Sequence, residues 1–326
     1  MSILLDVSDL KTQYNTESGI VKAVDGVSFQ IYKNEIVGFV GESGCGKSAT
    51  MLSLMQLIPS PPGEIVSGSA VLDGTDLLKL KENEICDIRG ARISMVFQEP
   101  MTSLNPTMKI GKQLTEMITR HKKVSKAEAR SHAIECLEKV GITNAAERMN
   151  SYPHEFSGGM RQRVMIAMAA ACNPSIIIAD EPTTALDVTT QSQVLEMLKN
   201  MVTELKDTSL IIVTHNLAII ARYANRIYVM YGGKVIESGT ARDVFAHPMH
   251  PYTKGLLRSV PRLDEAMSDK RLEPIDGFPP NLAALPSYCS FEPRCNACKE
   301  HCKEKGIPVL RDMGNSHFVA CHQYEE

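Results

Sequence analysis

The chain has 326 residues, 43% of them hydrophobic and 22% charged, which is enough apolar material for a core of about two domains and too much for general disorder. Its formal net charge is −3, from 35 Lys and Arg against 38 Asp and Glu, which weighs against bulk nucleic acid as the main partner. No apolar run approaches the roughly 18 residues of a membrane span, and the opening MSILLDVSDL lacks the basic start of a secretory signal. A cytosolic chain is expected, with any membrane role coming through a partner.

Residues 3–7 and 24–31 alternate apolar and polar side chains and predict antiparallel strands, with turns near 15–19 and 33–34. The run 36–40 reads as a buried strand. A Gly-rich turn follows, then a helix over 49–58 that ends at the Pro- and Gly-containing stretch 59–63. Further short aliphatic runs at 93–97, 175–179, 210–213 and 227–230 predict strands covered on both faces. Between the first two of these, 109–121 and 126–140 carry apolar residues at helical spacing, which predicts a helical subdomain inserted into an α/β core. Beyond Gly239 the texture changes to a short helix at 252–259, a Pro-rich stretch at 274–286 and a crowd of cysteines. A domain boundary is expected near 250–260.

The segment Gly41-Glu42-Ser43-Gly44-Cys45-Gly46-Lys47-Ser48 fits G-x-x-x-x-G-K-[ST], placed as required between a strand and a helix that Ala49 continues. Glycines let backbone N–H groups curl round phosphate oxygens, and the helix N-terminus adds a favourable partial charge. Lys47 is placed to reach the terminal phosphates and the Ser48 hydroxyl to hold Mg²⁺. The strand at 175–179 leads into Asp180 and Glu181. An aspartate at such a strand end can hold Mg²⁺, and the adjacent Glu181 can act as general base on a water. Gln98 and His215 each follow a predicted strand, at the carboxyl edge where α/β sheets bind ligands.

The run Phe156-Ser157-Gly158-Gly159-Met160-Arg161-Gln162-Arg163 resembles the signature sequence of ABC-transporter ATPases. The order also resembles that family: phosphate loop, Gln98, signature, Asp180-Glu181, Ala185-Leu186-Asp187, His215. The resemblance implies an α/β fold, with a RecA-like P-loop NTPase core, an N-terminal antiparallel β subdomain, an inserted helical subdomain at about 99–165, and a small Cys-rich C-terminal extension. The nucleotide-binding domain is expected over 1–250 and the extension over 251–326. The resemblance further implies that Tyr14 stacks on adenine and that Gln98 senses Mg²⁺ and the attacking water. Glu181 is then the catalytic base, His215 the contact to the γ-phosphate, and Asp187 the loop aspartate that communicates across a dimer. Ser157, Gly158, Gly159 and Gln162 complete the ATP site of the opposite subunit, so an isolated monomer is expected to hydrolyse ATP poorly.

Glu99-Pro100-Met101-Thr102-Ser103-Leu104-Asn105-Pro106, His250-Pro251-Tyr252-Thr253 and Cys289-Ser290-Phe291-Glu292-Pro293-Arg294-Cys295 resemble the peptide-importer branch, closest to the D-type subunit of dipeptide and oligopeptide importers. That implies two transmembrane permease subunits, a second and related ATPase (a homodimer being the alternative), a peripheral seat on the cytoplasmic face of the membrane, and an extracytoplasmic solute-binding protein reached only indirectly. Relatives in that branch carry nickel or glutathione, so other solutes stay open. A soluble ABC ATPase of DNA repair or translation is the competing class; the single cassette, the short helical insert and the net charge weigh against it and against a nucleic-acid partner.

Five of the nine cysteines fall late in the chain, at Cys289, Cys295, Cys298, Cys302 and Cys321. In a reducing compartment this crowding points to metal ligation. Four thiolates suit either Zn²⁺ or a [4Fe–4S] cluster, and the lack of paired C-x₂-C knuckles weakens zinc. The family extension matches Cys289, Cys295, Cys302 and Cys321, with Cys298 as an alternative ligand, and favours the cluster. A metal staple would help so small an extension fold. Cys45, inside the phosphate loop, is read as a passive filler.

Overall fold

The structure is a computed structural model, and it describes residues 2–183, 188–205, 207–259 and 274–325. In chain order the elements begin with β1 (Ile3–Thr16), β2 (Gly19–Tyr32), β3 (Ile36–Val40), α1 (Lys47–Leu54), β4 (Gly63–Leu72) and β5 (Thr75–Asp76). Then come α2 (Glu82–Ile88), β6 (Ile93–Val96), α3 (Pro100–Ser103), α4 (Ile110–His121), α5 (Lys126–Lys139), α6 (Ala145–Arg148) and α7 (Gly158–Ala170). The chain continues through β7 (Ile176–Asp180), α8 (Val188–Glu204), β8 (Ser209–Thr214), α9 (Leu217–Tyr223), β9 (Arg226–Tyr231), β10 (Lys234–Thr240), α10 (Ala241–Ala246) and α11 (Pro251–Arg258). It closes with α12 (His301–Glu304), β11 (Arg311–Asp312) and β12 (Phe318–Val319).

These elements group into two compact units that do not follow chain order. The first holds Tyr32–Glu35 and Leu80–Val213; the second holds Ser2–Ile31, Ile36–Lys79 and Thr214–Glu326.

In the first unit β6, β7 and β8 form a parallel sheet, with Ile178 opposite both Met95 and Ile211. Every residue of β6, β7 and β8 is buried, as continuous aliphatic strands covered on two faces should be. The helices α4 and α5 follow the expected spans closely. Ser125 caps α5, its side chain accepting from the Glu128 N–H while Glu128 reaches back to the Ser125 N–H.

The second unit contains an antiparallel sheet in the order β2-β1-β4-β5, and a strand series β11-β12-β10-β9-β3 in which β3 and β9 run parallel. Phe29, Phe39 and Tyr228 pack β2, β3 and β9 together, with Phe29 and Phe39 at 4.9 Å and Phe39 stacked on Tyr228 at 5.0 Å. The helix α1 begins at Lys47 and stops at Leu54, earlier than the expected 58, because Gln56 takes a left-handed φ of 49° that no helix continues through. The ten residues of β4, GEIVSGSAVL, were not expected as a strand; they pair with β1 from Leu5↔Leu72 to Tyr14↔Gly63.

The tail is fastened to this unit's sheet. Glu237 and Ser238 of β10 pair with Val319 and Phe318 of β12. Glu237 is fully buried, and its carboxylate accepts the N–H groups of Met249 and His250 at 2.7 and 2.8 Å, with His317 Nε2 at 2.7 Å. A buried carboxylate is tolerable only when its lone pairs are satisfied in this way.

Candidate functional site

Within the second unit, β3 ends at Val40 and residues 41–48 carry the chain into α1. Gly41 has φ 155° and Gly46 φ 105°, and a Cβ at either would collide with backbone, the Met230 carbonyl oxygen at Gly41 and that of Ala23 at Gly46. Only glycine fits. Gly46 is the residue before α1, and no acidic side chain occupies that helix's first turn, so its N-terminal dipole is not offset by a local carboxylate. Lys47 is 5% exposed and folds back on its own loop, its Nζ donating to the carbonyls of Gly41 at 2.7 Å and Glu42 at 3.0 Å. Ser48 and Ala49 are half-buried on α1, whereas Ser43 and Gly44 are exposed. Burial raises the Cys45 thiol above its usual range, which keeps it protonated and inert. Tyr14 is half-buried on β1 opposite Gly63. His215 is exposed just before Asn216, which caps α9 by accepting the Ala218 N–H at 3.0 Å.

Within the first unit, β7 delivers Asp180, 5% exposed, at its end. Glu181 follows with a left-handed φ of 43°, held there by its N–H to the Val213 carbonyl at 2.8 Å. A non-glycine residue in that conformation costs of order 1–3 kcal/mol, and such strain gathers at functional sites. Glu181 Oε2 accepts from Gln98 Nε2 at 3.1 Å, joining two residues 83 positions apart. The parallel pairing of Val96 with Ala179 explains it, since both side chains follow adjacent strand ends. Ser157 caps α7, its hydroxyl accepting from the Met160 N–H at 3.3 Å. A Cβ on Gly158 would meet nothing within 4 Å, so this chain's own packing does not require glycine there. Gln162 is 2% exposed and its Nε2 has no partner among the described residues. Asp187 lies outside the described residues.

The five late cysteines line a single cavity of about 20 Å³ in the second unit, together with His250, Glu292 and His322. Burial, with the nearby Cys321, Cys295 and Cys302 adding to it, pushes the Cys289 thiol up to about 11. Burial likewise raises Cys295 and Cys321. Spacing therefore identified the residues that converge. It did not give their final geometry: among the described residues, no three or more His, Cys, Asp or Glu side chains are arranged to hold a metal ion.

Motif reading missed two contacts to the phosphate loop. Arg294 forms a two-pronged ion pair with Glu42, and the Tyr252 hydroxyl accepts the Glu42 N–H at 2.8 Å. The first joins positions 252 apart in sequence, and no local signal announces it.

A glycine-shaped strand-to-helix loop with Lys47 folded onto it is that of a P-loop NTPase, and the additional glycine-started, serine-capped helix α7 narrows this to the ATP-binding cassette class. Residues 24–184 match the ABC transporter family and residues 236–302 the oligopeptide/dipeptide transporter C-terminal region. The dipeptide transport ATP-binding protein DppD of Bacillus subtilis is 49% identical over 321 residues, covering 98% of this chain and 95% of the relative. The oligopeptide transport ATP-binding protein OppD of Escherichia coli is 46% identical over 318 residues, covering 98% and 92%. Among solved structures, the dimeric post-hydrolysis state of the ATP-binding cassette MJ0796 bound to ADP and phosphate superposes with a TM-score of 0.65 at 28% identity, over 73% of this chain and 99% of that one. This chain belongs to the ABC transporter ATPases, in the branch that carries the oligopeptide/dipeptide C-terminal region. It is an ATPase. No helix among the described residues is long and apolar enough to cross a membrane.

Proposed function

We propose that this chain couples ATP hydrolysis to the import of dipeptides or oligopeptides. The observation that carries the reading is identity of 48–49% along nearly the whole chain with dipeptide and oligopeptide transport ATP-binding proteins. The chain works at the cytoplasmic face, against two permease subunits and paired with a second, related ATPase. ATP lies on residues 41–49 with adenine against Tyr14. Ser48, Gln98 and Asp180 would hold Mg²⁺, which would neutralise phosphate charge. Lys47 exchanges its two carbonyl partners for phosphate oxygens. Glu181 takes the proton of the attacking water as the water's oxygen bonds to the γ-phosphorus and ADP departs. The Gln98 hydrogen bond orients Glu181 for that step. His215 steadies the γ-phosphate, while Ser157, Gly158 and Gly159, with Gln162 buried behind them, serve the partner's ATP through the N-terminus of α7. Asp187 links the two sites.

The cysteines suit a thiolate-ligated group by donor type and line one cavity, although at about 20 Å³ that cavity has room for little more than a water and would have to open to take the group. Cys289, Cys295, Cys302 and Cys321 would hold a [4Fe–4S] cluster, or alternatively Zn²⁺, with Cys298 as the spare ligand, and the group would staple the extension. The raised thiols mean that ligation releases protons.

The test is reconstitution of the complete transporter in proteoliposomes. ATP-dependent uptake of labelled di- or tripeptides, lost with Glu181→Gln, is expected. Uptake of nickel or glutathione in place of peptide overturns the substrate. ATP hydrolysis that does not respond to any loaded binding protein overturns the coupling.

A further inference from the structure

The cysteine-bearing segment grips the phosphate loop directly. Arg294 immediately precedes Cys295 and ends the short turn Glu292–Arg294. Its Nη1 donates to Glu42 Oε2 at 2.6 Å and its Nη2 to Glu42 Oε1 at 3.0 Å. The guanidinium is fixed from the other side as well: Nε donates to the Asp276 carbonyl at 2.8 Å, and the group lies over the Tyr231 ring, 5.8 Å from its centre. The Arg294 side chain is 5% exposed and that of Glu42 26%, so the pair is partly shielded from solvent. A planar fork on a carboxylate fixes orientation as well as distance.

Glu42 is held at its backbone too. Its N–H donates to the hydroxyl of Tyr252, whose ring packs against Tyr231 and Phe291 at 4.7 and 5.4 Å. Phe291 lies three residues before Arg294, so side chain and backbone of Glu42 are clamped by one connected cluster. The carbonyl of Glu42 is in turn one of the two that hold Lys47. A continuous path of hydrogen bonds thus runs from the residue beside Cys295, through Glu42, to the lysine of the phosphate loop.

We propose that Arg294 is a positioning residue for nucleotide binding: by fixing Glu42 it sets the loop that Lys47 leaves when phosphate arrives, so that the C-terminal extension controls nucleotide affinity. This rests on the reading of residues 41–48 as the ATP site. The alternative is a plain fastening of the extension, which would leave affinity untouched.

The experiment titrates a fluorescent ATP analogue into the full-length chain with Mg²⁺, comparing wild type, Arg294→Gln, Glu42→Gln, the double variant and Arg294→Lys. The two single variants are expected to weaken binding about tenfold each, and the double variant no more than either alone, the mark of one shared interaction. Arg294→Lys recovers part of the loss. In the assembled transporter, Arg294→Gln raises KM for ATP about tenfold and lowers kcat far less. Unchanged binding in Arg294→Gln, or losses that simply add, overturns the proposal. If Arg294→Gln folds poorly, Glu42→Gln decides, because it leaves the extension's residues intact; normal binding there overturns it. A wild-type chain that binds no analogue overturns the ATP-site reading instead.

Discussion

The phosphate loop and the cysteine cavity lie in the same compact unit, yet they are specified in opposite ways. The loop is eight consecutive residues whose shape follows from glycine geometry, a helix start and a lysine bonded to its own carbonyls. The cavity draws five cysteines from residues 289–321, a stretch whose regular structure is limited to short turns, four-residue α12 and the two-residue strands β11 and β12. A contiguous motif carries its own geometry. A scattered set of donors carries only its chemistry, and the fold has to bring it together.

Four experiments bear on that contrast, from the largest expected effect to the smallest. Glu181→Gln should lower kcat by about 10²–10⁴-fold while nucleotide still binds, as read by phosphate release from the assembled transporter. A rate above one-tenth of wild type would remove Glu181 as the base. On the proposed [4Fe–4S] reading, wild-type protein purified without oxygen should carry iron and sulfide, and changing Cys289 and Cys302 together to Ser should abolish both, with bound nucleotide still detectable. Metal content unchanged by the pair would break the ligand assignment.

The third experiment follows from His250. It is buried, burial holds its imidazole down to about 4, and its Nδ1 accepts the Tyr252 N–H at 3.0 Å, which requires that nitrogen unprotonated. The folded pKa lies below the unfolded value of about 6.5, so between these values the unfolded chain binds more protons. Its stabilising effect is complete above about pH 6.5 and is lost as pH falls toward 4, by up to roughly 3 kcal/mol. Urea melts at pH 7.5 and 5 should show this slope in wild type and a shallower one in His250→Asn; equal slopes would sink it. The smallest effect contrasts two glycines. Gly46→Ala carries about 1–3 kcal/mol of backbone strain plus the clash of its Cβ with the Ala23 carbonyl oxygen, and should weaken nucleotide binding. Gly158→Ala, with open space around it, should leave the melting midpoint nearly unchanged and act only on hydrolysis by the paired subunits.

How much of this was legible in the sequence depended on locality. The strands β3 and β6 to β9, the helices α4 and α5, and the loop 41–48 each announce themselves within a dozen residues. β4 did not, because GEIVSGSAVL is largely exposed or half-exposed and becomes a strand by pairing with β1, across register shifts between Ser8 and Thr12. The Gln98–Glu181 contact followed from two strand-end motifs that parallel pairing brought side by side. The Arg294–Glu42 pair had no such signal: an arginine beside a cysteine and a glutamate in a loop are each unremarkable until the fold joins them.

The short strand β12 has a consequence for solubility. It occupies the side of β10 at Glu237 and Ser238 whose backbone groups would otherwise face outward. An uncovered strand edge is a template for another chain, and loss of this segment would also remove His317 from the buried Glu237 carboxylate. A chain cut before Arg311 would keep every ATP-binding motif and yet be expected to self-associate, which light scattering against the full-length protein would reveal.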